Sequence, residues 1–188
     1  MQSGMQGIAR GYGWFGLRQL LGWLLVRLGL GGALALCLAT FLLRFSVVRG
    51  SSMIPSIEDG DRLVVNRVTR DLQSLHRFDV VILRSPVDPE VDYVKRVVGL
   101  PGDRVRLVRG QLWIDDQPVA EPFLHVPMPE TTDGWRVPED AVFVLGDNRP
   151  VSSDSREFGF VPLAAVHGKV VARIWPPARF QLFPQLGK

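Results

Sequence analysis

The chain has a single cysteine, Cys37, in 188 residues. That excludes an intrachain disulfide and any multi-cysteine zinc or iron–sulfur site. Histidine is nearly as scarce. His76, His125 and His167 lie far apart, and no HExxH or comparable metal spacing exists. Only three of the 22 basic residues are lysine: Lys95, Lys169 and Lys188. In a chain that otherwise uses arginine, each lysine calls for a reason. Acidic residues are absent from residues 1–44, which carry Arg10, Arg18, Arg27 and Arg44. The remainder holds 18 basic and 19 acidic residues, so the basic balance comes from the N-terminal segment. It is weak ground for nucleic-acid binding, and none is expected. Sequence repeats, low-complexity tracts and long helical periodicities after residue 46 are also missing.

Hydrophobic residues make up 46% of the chain and charged residues 22%. That is too apolar for disorder and too charged for a multi-span membrane protein. Residues 28–43 form a 16-residue uncharged run, LGLGGALALCLATFLL. At about 1.5 Å per residue the run extends about 24 Å, and extension toward Leu20 or Val48 completes a bilayer crossing. Arg27 and Arg44 near its ends can snorkel, and Trp14, Phe15 and Trp23 suit an interface. A cleaved signal peptide would need a shorter apolar core and a small-x-small site just after it. Arg44-Phe45-Ser46-Val47-Val48-Arg49 offers none. The reading is an uncleaved anchor over 25–46, with 1–24 cytoplasmic by the positive-inside rule. A catalytic domain over 47–180 would then lie across the membrane, followed by a tail, 181–188.

Beyond the anchor, apolar and β-branched runs are short and bounded by turn residues. Strands are expected at Leu63–Val65, Val80–Leu83, Tyr93–Val98, Ala141–Leu145 and Lys169–Trp175. Val105–Val108 and Gln111–Ile114 flank Arg109-Gly110 as a hairpin. Five prolines between Pro118 and Pro138 mark an irregular insertion near 115–139. The fold class is mainly β, with short, mostly antiparallel strands tethered by one N-terminal helix.

Three segments could carry chemistry. Arg49-Gly50-Ser51-Ser52-Met53-Ile54-Pro55-Ser56 sets two serines between a glycine and a proline; alone it reads as a polar turn. Lys95 sits inside an apolar strand, where it either reaches solvent or is partly buried. Burial would lower its pKa and make it a general base. Gly146-Asp147-Asn148-Arg149, followed by Ser152-Ser153-Asp154-Ser155-Arg156, alone reads as a turn with ion pairs. Taken together and in order, these segments resemble the type I signal peptidases, membrane-bound leader peptidases with a Ser–Lys dyad. Ser52-Met53-x-Pro55-Ser56 is similar to that family's nucleophile box, and Asp79-Val80-Val81 resembles its next strand box. Lys95-Arg96-Val97-Val98-Gly99-Leu100-Pro101-Gly102-Asp103 resembles its lysine box, and the segment from Gly146 to Arg156 its last box. The resemblance covers about residues 25–175.

The resemblance implies Ser52 as nucleophile, Lys95 as general base and Ser152 as the lysine's hydrogen-bond partner. It implies Asp147 with Arg96, and Asp154 with Arg156, as ion pairs that hold the site. Val48, Met53, Ile57, Ile82, Tyr93 and Val94 match positions lining small pockets for the −1 and −3 residues of a precursor. No metal or cofactor is implied. The implied partners are exported preproteins carrying signal peptides, the lipid bilayer and, more remotely, the secretion translocon; the implied location is the cell membrane. The sequence departs from the family pattern in two places. Pro150-Val151 replace an Asp-Asn pair, and Gly50 stands where some members place an oxyanion-hole serine, leaving backbone N–H groups to serve. Alternatives are a maturation peptidase dedicated to one secretion or pilus system, and a non-enzymatic, membrane-tethered β domain that binds precursors. A Ser–His–Asp hydrolase would need a GxSxG elbow, which is absent. A self-cleaving Ser–Lys repressor would need a DNA-binding domain where the apolar run stands.

Overall fold

The computed structural model describes residues 20–34, 43–67, 75–124 and 128–183. The chain divides into two compact units, residues 1–41 and 42–188. In the first, a helix (α1) runs over 20–34 and exposes nine large apolar side chains, from Leu20 to Leu34. Among the described residues no helix is long and apolar enough to cross a membrane. Arg10, Arg18, Trp14, Phe15 and most of 35–46, on which the anchor expectation also rests, lie outside the described residues, as do Cys37, His125 and Lys188.

The second unit is built from two antiparallel sheets. The larger contains β1 (Leu43–Val47), β2 (Arg62–Asn66), β3 (Val80–Arg84), β4 (Asp92–Gly99), β9 (Ala141–Leu145), β10 (Val161–Pro162), β11 (Val166–Trp175) and β12 (Gln181–Leu182). Its order is β1-β2-β11-β3-β4-β9-β10, with β12 also on β11. The smaller sheet is β7-β6-β5-β8, from β5 (Arg104–Val108), β6 (Gln111–Ile114), β7 (Gln117–Pro118) and β8 (Trp135–Arg136). The β5–β6 hairpin turns at Arg109 and Gly110, both at positive φ (52° and 80°), as a tight two-residue connection requires. The chain is thus mainly β, as read from its short apolar runs.

Alternation along the strands sorts the core. Val80 and Ile82 of β3 join Val48, Met53, Ile57, Leu63 and Val65 in one cluster, while Val81 and Leu83 join Val97, Val142 and Val144 in a second. Phe143 and Leu145 of β9 turn to a third, with Val105, Leu107 and Leu112. β3 is therefore apolar at four successive positions because both of its faces are covered.

Two differences from the sequence reading bear on the site. Leu43–Val47 pair with β2 as a strand, so four residues assigned to the anchor belong to the second unit's sheet. The proline-rich segment is also more than a loop. Gln117–Pro118 and Trp135–Arg136 pair onto β6 and β5, and Glu121 and Glu130 reach back to the loop after β9.

Candidate active site

Ser52 sits in the turn that follows β1, and Lys95 on β4. Forty-three residues apart in sequence, they meet: Lys95 Nζ donates to Ser52 Oγ at 2.8 Å. Lys95 is 3% exposed, and its ammonium lies 5.0 Å from the centre of the Tyr93 ring. Burial lowers its pKa from 10.5 to about 8, against the opposing pull of Asp154 and Asp147. A lysine with that pKa is substantially neutral just above neutral pH, and a neutral amine can take a hydroxyl proton at this distance.

The same burial has a stability consequence. Below about pH 8 the native state must carry a charge it disfavours, whereas the unfolded chain holds that proton up to about 10.5. Lys95→Met should therefore stabilise the fold by roughly 2–3 kcal/mol at pH 7, after discounting the lost hydrogen bond. Paired thermal melts from pH 6 to 11 would show the difference shrinking between pH 8 and 10.5. A Met variant that melts below wild type at pH 7 would mean that burial does not penalise the ammonium.

The side chain of the next residue on β4, Arg96, grips Asp147 through two bonds, Nε–Oδ1 at 2.8 Å and Nη2–Oδ2 at 2.6 Å. A third goes to the Phe78 carbonyl at 2.9 Å, and the guanidinium stacks 3.8 Å from the Phe123 ring centre. Asp154 accepts from Arg156 at 2.8 and 3.0 Å and from the Gly146 N–H at 3.0 Å, and caps the short helix α2 (Ser155–Phe158). Both ion pairs expected from the sequence are thus formed. The first fastens the segment 146–156 to β4, and the second ties that segment to itself. Its approach to Ser52 is close: a Cβ on Gly146 would lie 2.5 Å from the Ser52 carbonyl oxygen and 2.2 Å from Ser152 Oγ, so only glycine fits.

Two expectations about supporting groups need correction. Ser152 Oγ is buried and has no hydrogen-bond partner among the described residues, so the expected bond to Lys95 is not formed; the lysine's bond goes to Ser52. The Gly50 N–H is committed to Asp59 Oδ1 at 2.8 Å, because at φ 100° Gly50 turns its amide toward that carboxylate. It is therefore not a donor for an oxyanion. The Ser52 N–H makes no hydrogen bond among the described residues.

A cleft of about 510 Å³ opens over the pair. It is lined by residues 46–53 and 90–95 together with Ile82, Val151 and Ser153, with Ser52 and Lys95 among them. Of the expected pocket residues, Val48, Met53, Ile82, Tyr93 and Val94 line it, and Ile57 does not; it is fully buried in the cluster behind Met53. Among the described residues no histidine lines the cleft. His76 lies 4.0 Å from Asp79, and His167 3.1 Å from Asp92.

Several supporting groups escaped the sequence reading. Lys169 is buried against Asp79 at 2.7 Å, which makes the second lysine a fixed charge partner. Arg149 pairs with Glu121 and donates to the Gly146 carbonyl, and Arg156 pairs with Glu130 at 3.3 Å. Burial pushes the Glu121 carboxyl up, against the pull of Arg149. Asn148 and Arg149 were visible as part of the last box, but neither had an assigned partner. The two glutamates sit in a segment whose prolines suggested only a loop.

Comparison with known proteins agrees with this geometry. A family model described as signal peptidase, peptidase S26, matches residues 21–175. A signal peptidase I of Bacillus caldolyticus is 39% identical over 76% of this chain and 85% of that protein. One of Leptolyngbya laminosa is 33% identical over 81% of this chain and 78% of that protein. A crystal structure of a signal peptidase I from Enterococcus faecalis V583 is 37% identical and covers 50% of this chain and 95% of that one, with a TM-score of 0.45. With a family match across most of its length and a buried lysine bonded to a serine in an open cleft, the chain belongs to the signal peptidase family, peptidase S26, and its function is that of a signal peptidase I.

Proposed function

We propose that the chain cleaves exported precursors by acyl transfer, with Ser52 as nucleophile and Lys95 as general base. The observation that carries this reading is the 2.8 Å bond between a dry lysine and a half-buried serine in the cleft. In the first step, neutral Nζ takes the Oγ proton as Oγ bonds to the carbonyl carbon of the substrate's −1 residue. The oxygen that gains charge needs fixed donors, and the Ser52 N–H is available for it. The ammonium then returns its proton to the departing amine. Water, deprotonated by the same lysine, attacks the Ser52 ester; the lysine passes that proton to the departing Oγ, and the signal peptide leaves with a free C-terminal carboxylate.

The substrate would lie extended between 46–49 and 92–94, held by strand-type hydrogen bonds. The pocket beside Ser52 is shaped by Met53, Ile82, Tyr93 and Val94, so it favours small uncharged side chains. Purified protein in detergent should cleave a precursor whose signal peptide ends in Ala-x-Ala and turn over Arg or Phe at −1 at least about 100-fold more slowly, the scale of a misfitted specificity pocket. Equal turnover of the Arg or Phe substrate would contradict this reading.

Placement in the membrane belongs to the same proposal. Nine large apolar side chains exposed on α1, with an acid-free flank, suit an anchor with a cytoplasmic N-terminus. The domain from 47 onward would then face precursors emerging on the far side, and contact with the secretion translocon is compatible with that position. A reporter fused after Lys188 should be active only in the exported compartment; cytoplasmic activity would reverse the orientation.

A further inference from the structure

The two peptide groups flanking Ser52 are both held by one residue of the opposing loop. Asn148 Nδ2 donates to the Ser51 carbonyl at 3.1 Å, and the Asn148 backbone N–H donates to the Ser52 carbonyl at 3.0 Å. Since the partner of the side chain is a carbonyl oxygen, the contacting atom must be the amide nitrogen. We propose that Asn148 is a positioning residue that sets the oxyanion hole by fixing the orientation of the Ser51–Ser52 peptide plane. The proposal rests on Ser52 being the nucleophile.

A trans peptide is planar, so the Ser51 C=O and the Ser52 N–H point in opposite directions. Drawing the carbonyl toward the 146–149 loop turns the N–H away from that loop and leaves it unpaired. The Ile54 N–H adds a second, longer bond to the same oxygen, at 3.2 Å. A rotated plane would instead bring a carbonyl oxygen toward the developing negative charge. The Ser52 N–H matters more here because the Gly50 N–H is held by Asp59. Asn148 itself stands on a fixed platform. Its neighbour Arg149 bonds the Gly146 carbonyl and pairs with Glu121, and Arg156 Nη2 donates to the Arg149 carbonyl at 2.7 Å.

Removing the side-chain donor while keeping the backbone bond isolates this role. Asn148→Ala and the isosteric Asn148→Asp should each lower kcat on an Ala-x-Ala peptide, on the order of 100-fold, as loss of an oxyanion donor does. KM should stay within about twofold, and in the uncharged variant Asn148→Ala the pH midpoint set by Lys95 should not move. Affinity for a peptide boronic acid ending in boroalanine, which forms a tetrahedral adduct on a serine, should fall by about the same factor as kcat/KM. Binding of the cleaved product peptide should be unchanged. Wild-type kcat and boronate affinity in either variant would overturn the inference. So would a loss confined to KM in either variant, or a shifted pH midpoint in Asn148→Ala, since either would place the effect in substrate binding or in Lys95. Failure of the boronate to bind wild type in a Ser52-dependent manner would instead reject Ser52 as nucleophile, and the inference with it.

Discussion

Ser52→Ala, Lys95→Ala and Lys95→Arg are each expected to reduce precursor cleavage by at least about 1,000-fold, the scale of losing a member of a catalytic unit. Lys95 Nζ and Ser52 Oγ are in direct hydrogen-bond contact at 2.8 Å, so under the proposed mechanism neither group has a substitute among the described residues that the other already bonds. Arginine should fail as fully as alanine, because a guanidinium stays protonated at any pH the fold survives. The variants should remain folded, and Lys95→Ala should melt no lower than wild type at pH 7, since it removes a charge that burial disfavours. Ser152→Ala should be milder, slowing cleavage without abolishing it. Its hydroxyl makes no bond to the lysine in this structure and packs against Gly146, in the loop facing Ser52. Cleavage within tenfold of wild type by any of the three dyad variants would remove the dyad from the mechanism.

The second large effect is expected at Asp147. Its pair with Arg96 is almost sealed from water, at 2% and 7% exposure. Asp147→Ala would leave the guanidinium buried with only the Phe78 carbonyl, the Phe123 ring and a long contact to Ser56. Breaking a buried pair from one side costs about 3–5 kcal/mol, or a drop in Tm of about 10 °C for a chain of this size. The loop from Gly146 to Arg149 would lose its anchor on β4, and activity should fall with stability. Arg106–Asp116 is the internal control. Asp116 is 61% exposed in its side chain, so Asp116→Ala should change stability by less than about 1 kcal/mol. Thermal melts of the full chain in detergent compare the two. Equal melting of Asp147→Ala and wild type would show that the pair holds nothing together.

Strand β4 and the β5–β6 hairpin were legible in the sequence because each local signal agreed with the fold. Apolar runs end at Gly99-Leu100-Pro101-Gly102 in one case, and Arg109-Gly110 turns the chain in the other. The Arg96–Asp147 and Arg156–Asp154 pairs came from the order of the boxes and not from periodicity, since nothing local in Asp147 names a partner 51 residues away. Strand β1 was hidden because its start continues an apolar run that reads equally as helix; only pairing with β2 makes Leu43–Val47 a strand. The clamp from Glu121 and Glu130 was invisible for a related reason. Two-residue strands carry no period, and prolines nearby argue locally for a loop while the tertiary ion pairs order it. The fate of the Gly50 N–H depended on Asp59, nine residues away across a turn whose geometry no motif specifies.

The most direct test of Lys95 as base is kcat/KM on an Ala-x-Ala peptide from pH 5 to 10, in wild type and in His76→Gln, His125→Gln and His167→Gln. Catalysis needs the neutral amine, whose fraction grows as pH rises through the lysine's pKa. The expected profile therefore climbs to a plateau with a midpoint near the value of about 8 that burial gives Lys95, and it is the same in all three histidine variants. A midpoint near 6.5, the ordinary range of histidine, that disappears together with activity when one histidine is replaced would contradict it.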